Sequence, residues 1–148
     1  MPEGHKSFIR ATVAFGDCDP AQMIYYPNYF RWFDQATWNL LETAGFPWET
    51  LHADYGVAGL PAVEVDAKFL LPVKWRDRLV FETSVRRIGR SSFQVGHTVR
   101  KDEGVCVEAN EVRVWARTHP EDPKRLKGFA IPPEVVERLR APAESGAG

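Results

Sequence analysis

The chain has little cysteine, little methionine and almost no net charge, and each scarcity excludes a class of protein. Its 148 residues include two Cys and two Met, with 19 Lys+Arg against 20 Asp+Glu for a formal net charge of −1. Cys18 and Cys106 lie far apart and make a poor disulfide framework, so a reducing cytoplasm is the expected location. The balanced charge argues against nucleic acid as the main partner, because phosphate binding shows as a basic excess. No apolar run approaches the ~18 residues of a membrane span. The N-terminus, MPEGHKSFIR, has no apolar signal core, which argues against export. There is no G-x-S-x-G elbow, H-E-x-x-H, C-x-x-C, P-loop or G-x-G-x-x-G, so serine-hydrolase, zinc and nucleotide chemistry have no visible seat. His5, His52, His97 and His119 are scattered, so a catalytic centre has to rest on a carboxylate. The length suffices to bury a core without metal or disulfide.

What is present reads as one domain over residues 1–140, with a small, polar, flexible tail over 141–148. Ile9, Ala11, Val13 and Phe15 alternate as in a half-buried strand, and the turn signal Gly16-Asp17-Cys18-Asp19-Pro20 follows. Phe30, Phe33, Thr37, Leu40, Leu41 and Ala44 recur at helical spacing, predicting one long helix from Asn28 to Ala44. Pro27 suits its start, and Gly45 with Pro47 suits its stop. A second, shorter helix is predicted from Pro47 to Tyr55. Four strands follow, with inward rows Val63-Val65-Ala67-Phe69, Leu79-Phe81-Thr83-Val85, Phe93-Val95-His97-Val99 and Val105-Val107-Ala109. The last continues as Val112-Val114, and that parity switch predicts a bulge near Asn110-Glu111. Short links between consecutive strands predict antiparallel pairing. The class is α+β: a five-stranded antiparallel sheet wrapped around one long helix, which resembles the hotdog architecture.

The segment from Phe15 to Asp34 carries the chemistry. Two acids, Asp17 and Asp19, flank a thiol before Pro20, and three tyrosines lead into the long helix. A helix start presents unpaired N–H groups and the positive end of a dipole, which polarise a carbonyl oxygen placed there. Taken alone, both acids read better as turn formers than as catalytic groups. Cys18 between two acids is a poor nucleophile, since their charges raise its pKa. His97 reads as a satisfied core histidine.

The segment resembles the signature of the 4-hydroxybenzoyl-CoA thioesterase family, the Pseudomonas-type branch of hotdog thioesterases. The matching residues are Gly16-Asp17-Cys18-Asp19-Pro20-Ala21, Tyr26-Pro27-Asn28-Tyr29, Arg31-Trp32, Asp34, Ala36 and Asn39. The match continues in Gly59-x-Pro61, Ser92-Phe93 with His97, Glu111-x-Arg113-Val114 and Arg125-Leu126.

The resemblance implies hydrolysis of an aromatic acyl-CoA, hydroxybenzoyl-CoA-like, to free acid and CoA without a cofactor. Asp19 matches the catalytic carboxylate, acting as nucleophile or as general base on water. Tyr26 matches the position whose backbone N–H polarises the thioester carbonyl. Asp34 matches the residue that meets a ring hydroxyl across a dimer interface, and Trp48 an aromatic wall of that pocket. Gln22 stands for a family glycine, and Leu60 for a threonine near the thioester. Arg90 and Ser91 remain of the basic cluster for the CoA nucleotide, and Lys127 stands for a phosphate-binding arginine. Arg86, Arg87, Lys124 and Arg125 could add charge there. The implied partners are an acyl-CoA and further copies of the chain, as a dimer or tetramer with sites between protomers. The alternatives are a short-chain aliphatic acyl-CoA thioesterase, a hotdog hydratase or lyase, and a non-catalytic acyl-CoA binding module.

Overall fold

The computed structural model describes residues 4–142, so most of the tail expected over 141–148 lies outside the described residues. Strand β1, Lys6–Thr12, leads through a 3-10 turn, Phe15–Asp17, into helix α1, Pro27–Thr43. Helix α2, Trp48–Tyr55, precedes strands β2 (Ala62–Phe69), β3 (Arg78–Ile88), β4 (Ser92–Lys101) and β5 (Gly104–Val114). Strands β6, Ala116–Thr118, and β7, Leu126–Gly128, and helix α3, Pro133–Arg140, complete the order. These last elements are too short to announce themselves by periodicity.

The main sheet runs β1-β3-β4-β5-β2, every pair antiparallel. Helix α1 starts and stops as its punctuation predicts. Pro27 occupies the first helical position, and Gly45, just past the C-cap, has φ +100°. One face of α1 buries Tyr29, Trp32, Phe33, Ala36, Thr37, Leu40 and Leu41. The core divides along this helix. Toward its start, Tyr29, Trp32 and Phe33 pack with Leu79, Phe81, Val99 and Val107. Toward its end, Leu40 and Leu41 pack with Val85, Phe93, Val95, Trp115 and the α3 residues Val135 and Leu139. Truncating either fully buried leucine to Ala costs about 2–5 kcal/mol. Thr37 lies between the two halves, and a polar layer collects around it.

Four expectations are corrected. First, β2 pairs with β5 and not with β3, although only residues 70–77 join them. The sheet curls so far around α1 that this short link crosses its open end. Ile24 N–H bonds to Val73 O at 2.9 Å and Arg76 N–H to Val13 O at 2.9 Å on the way. Second, β2 is an exposed edge: Val63 is 62 % exposed and Phe69 52 %. α1 is one cylinder ~10 Å across and cannot cover every strand of the curled sheet. Third, no bulge falls at Asn110-Glu111, where the β4–β5 register is continuous. The shift lies at Cys106, opposite Val99/Arg100. From Val107 onward the odd residues face inward, so Glu111 and Arg113 are buried and Val112 and Val114 stand on the outer face. The expectation failed because it took the inward row to be apolar, whereas polar groups can be buried when they satisfy one another. Phe15, expected inside, is 69 % exposed because β1 ends before it.

Candidate active site

The chain between β1 and α1 is folded tightly by its own polar groups. Asp17 Oδ2 accepts from Ala14 N–H at 2.8 Å, and Asp17 O accepts from Tyr25 N–H and from Asn28 Nδ2. Asp17 Oδ1 faces Arg31 at 3.4 Å. Asp17 is thus committed to structure. Asp19 opens a reverse turn: Gln22 N–H bonds to Asp19 O at 2.8 Å, and Asp19 Oδ1 accepts from Ala21 N–H at 2.9 Å. Gln22 has φ +64°, the left-handed region in which glycine is at ease. Asp19 N–H then bonds to Met23 O at 2.8 Å, closing a small hairpin.

Asp19 and Gln22 line a cavity of about 330 Å³ with Phe15, Cys18, Pro20 and Trp75. Phe15 and Trp75 meet edge to face at 5.4 Å. The site therefore offers one carboxylate within a largely apolar wall. Cys18 lies beside it, but partial burial and then the charges of Asp17, Asp19 and Asp77 push its thiol up, away from nucleophilic use.

Tyr26 does not line the cavity, and its ring is 62 % exposed. Its N–H is the notable group. Tyr25, Asn28 and Tyr29 N–H are all spent on Asp17, Tyr25 and Tyr26 carbonyls, and Pro27 has none. Among the described residues the Tyr26 N–H has no acceptor. It is the open donor at the start of α1, where the helix dipole adds to its pull on an oxyanion.

Asp34 and Leu60 are brought together, but elsewhere. Asp34, 54 % exposed, accepts from Arg113 Nη2 at 2.9 Å, and Arg113 Nη1 donates to Leu60 O at 3.0 Å. Arg113 Nε also reaches Glu111 Oε1 at 3.3 Å. Glu111 receives Thr37 Oγ1 and lies 3.4 Å from His97 Nε2, whose Nδ1 meets Thr83 Oγ1 at 2.9 Å. Phe33 stacks on the His97 ring at 4.6 Å. Burial alone raises the Glu111 carboxyl. Hydrogen bonds from His97 and Thr37 and the charge of Arg113 outweigh that and hold it below its ordinary value. His97 is the satisfied core histidine that its strand parity suggested. The roles of Glu111, Arg113 and Thr37 were missed, and their signal was the polar pair interrupting a valine strand.

Trp48 stands at the start of α2, edge to face with Trp38 at 5.7 Å and stacked on His52. Arg90, Ser91 and Lys127 share one corner. Arg90 O accepts from Ile131 N–H, and a Cβ on Gly128 would sit 3.4 Å from Ser91 Oγ. Lys127 pairs in register with Arg117, a cation the sequence reading passed over. Arg117 Nε donates to Tyr55 O at 3.1 Å, and both cations lie over the Phe129 ring. The cavity at Asp19 and the cluster at Arg113 share no residue. Among the described residues no group of three or more His, Cys, Asp or Glu is arranged to hold a metal ion. No helix among them is long and apolar enough to cross a membrane.

A five-stranded antiparallel sheet packed on one long helix is the hotdog architecture. A family profile for the thioesterase-like superfamily matches residues 13–139. The 4-hydroxybenzoyl-CoA thioesterase of Pseudomonas sp. (strain CBS-3) is 34% identical over 135 residues, 87% of this chain and 94% of that protein. Its solved structure superposes with a TM-score of 0.83 at 32% identity, covering 90% of this chain and 99% of that one. A solved gentisyl-coenzyme A thioesterase superposes with a TM-score of 0.77 at 33% identity, covering 88% and 99%. The chain belongs to the thioesterase-like superfamily.

Proposed function

We propose that the chain, read as one domain over residues 1–140, hydrolyses an aromatic, hydroxybenzoyl-CoA-like thioester to the free acid and CoA. The observation that carries the reading is Asp19, a carboxylate in an apolar-walled cavity a few residues before the open Tyr26 N–H. Its relatives are named for 4-hydroxybenzoyl-CoA and gentisyl-CoA, both aromatic acyl-CoAs. With the thioester carbonyl on the Tyr26 N–H, negative charge developing on oxygen is stabilised. Asp19 then acts in one of two ways. It adds to the carbonyl carbon, the C–S bond breaks, CoA leaves as thiolate and takes a proton, and water cleaves the mixed anhydride. Or it takes the proton of a water molecule that adds to the carbonyl carbon, after which the C–S bond breaks and CoA leaves as thiolate and takes up that proton. Asp34 meets a ring hydroxyl, with Trp48, Leu60 and Gln22 around the acyl group. Arg90, Ser91 and Lys127 take the CoA phosphates.

The active unit in this reading is a homo-oligomer, dimer or tetramer. β2 supports it: the strand is hydrogen-bonded on one side only, with Val63, Val65 and Phe69 exposed along it. A second copy would cover this row. The separation of the Asp19 cavity from the Asp34 cluster fits a site completed between two protomers. The hydratase alternative loses support, since His97 is buried and its partners Thr37, Thr83, Glu111 and Phe33 do not line the Asp19 cavity.

The test is thiol release from benzoyl-, 4-hydroxybenzoyl-, phenylacetyl- and butyryl-CoA by wild type and Asp19→Asn. The variant is expected to lose about two decades or more in kcat with KM little changed. Near-wild-type turnover by Asp19→Asn would remove the carboxylate mechanism. A wild type that prefers butyryl-CoA would favour the aliphatic alternative.

A further inference from the structure

Arg113 is the buried cation that the mechanism above leaves unused. Its side chain is 8 % exposed and its three nitrogens are each engaged: Nη1 with Leu60 O, Nη2 with Asp34 Oδ1, Nε with Glu111 Oε1. Nη2 also lies 3.4 Å from Glu111 Oε2. A guanidinium is a rigid planar fork, so groups bound to different nitrogens are held at a set spacing. Here the fork joins α1, through Asp34, to the segment entering β2, through Leu60. Its own orientation is locked from behind. Glu111 is gripped by Thr37 of α1 and by His97 of β4, and His97 by Thr83 of β3. The whole chain is buried except at its end, where Asp34 reaches the surface. Oδ1 of Asp34 is taken, and among the described residues Oδ2 has no partner.

We propose that Arg113, locked by Glu111, is the positioning residue of the acyl site. It holds Asp34 Oδ1 so that Oδ2 is aimed at a hydrogen-bond donor on the far end of the acyl ring. By the same fork it sets the distance from that carboxylate to the Leu60 segment. The inference rests on the reading that Asp34 meets a ring hydroxyl, and it names what gives that contact its direction. A fixed oxygen discriminates for a hydroxyl at one ring position, whereas a swinging carboxylate accommodates several.

The experiment compares kcat and KM for 4-hydroxybenzoyl- and benzoyl-CoA in wild type, Asp34→Asn, Arg113→Lys, Asp34→Asn/Arg113→Lys and Arg113→Met/Glu111→Gln. The last removes both buried charges together, so no lone ion is stranded if Arg113→Lys folds poorly. Circular dichroism and thermal melting establish which variants are folded. The expected result is an about tenfold fall in the kcat/KM ratio of hydroxylated to plain substrate, carried by KM of the hydroxylated one. Asp34→Asn/Arg113→Lys is expected to show no further fall beyond Asp34→Asn, because Arg113 acts through Asp34. Equal losses on both substrates, the mark of a merely structural role, would overturn the inference. If Asp34→Asn itself leaves the ratio unchanged, the reading of Asp34 falls and this inference with it. If the ratio depends on Asp34 but survives in the folded Arg113 variants, this inference alone falls.

Discussion

Two acids in one short turn have opposite fates, and the difference is one of hydrogen bonding. Asp17 is consumed by Ala14 N–H and Arg31, while Asp19 spends one oxygen on Ala21 N–H and faces a cavity. Residue type alone could not rank them; the resemblance did. Glu111 is the other acid whose setting matters. Its carboxyl lies below the ordinary value of 4.5 in the folded protein. A depressed folded-state pKa gives stability that is present above that value and lost as pH falls through the folded one. Glu111→Gln is expected to cost about 1–3 kcal/mol at neutral pH, since it takes from the buried Arg113 one of its two carboxylates and leaves it Asp34. The gap between wild type and variant should narrow as pH drops below about 4.5, measured by urea unfolding across an acid series. Asp77, also lowered although burial opposes it, loses its own contribution in both proteins and cancels from the comparison. A gap that stays constant with pH would show that Glu111 is not held as described.

At the level of elements, the turn before α1 carries a cost that the sequence makes visible. Gln22 adopts φ +64° at a position where the resembled family has glycine. A left-handed conformation costs an L-residue about 1–2 kcal/mol, partly offset by the extra chain entropy a glycine loses on folding. Gln22→Gly is therefore expected to stabilise by about 0.5–1 kcal/mol, read from denaturant midpoints at unchanged m-value. Destabilisation instead would mean that the Gln22 side chain contributes packing in the cavity it lines. Elements governed by local pattern were legible in this way: α1 from Pro27 and Gly45, α2 from Pro47 to Tyr55, β3 and β4 from clean alternation. β5 was misread beyond Ala109 because Val112 and Val114 look like core, and only their partners decide the face.

At the scale of the molecule, β2 is the open question that the sheet order poses. Val65 and Phe69 lie on the face of Glu111 and Val107 but stay exposed, and apolar edges of that kind pair with another chain unless they are blunted. If the proposed homo-oligomer forms through this edge, Val65→Lys shifts it toward monomer in light scattering after gel filtration. With it, thioesterase turnover should drop while the circular dichroism spectrum is kept. A fully active monomeric variant would show that each protomer holds a complete site. Arg117 and Lys127, side by side on β6 and β7, belong to the same scale, since the hairpin that pairs them is defined by the tertiary fold and not by any motif.

The sequence by itself determined the α+β class, the long helix and its limits, and the inward rows of β3 and β4, while the family resemblance of the Gly16–Asp34 segment chose Asp19 over Asp17. These depend on local periodicity, on proline and glycine, and on one dense motif, all of which act over a few residues. Only the tertiary structure decided that β2 is an edge beside β5, that Glu111 and Arg113 face inward, and that Arg113 ties Asp34 to Leu60. Those outcomes depend on pairing between segments distant in the chain. A polar residue is buried when partners from other elements satisfy it, and no local pattern records where those partners are.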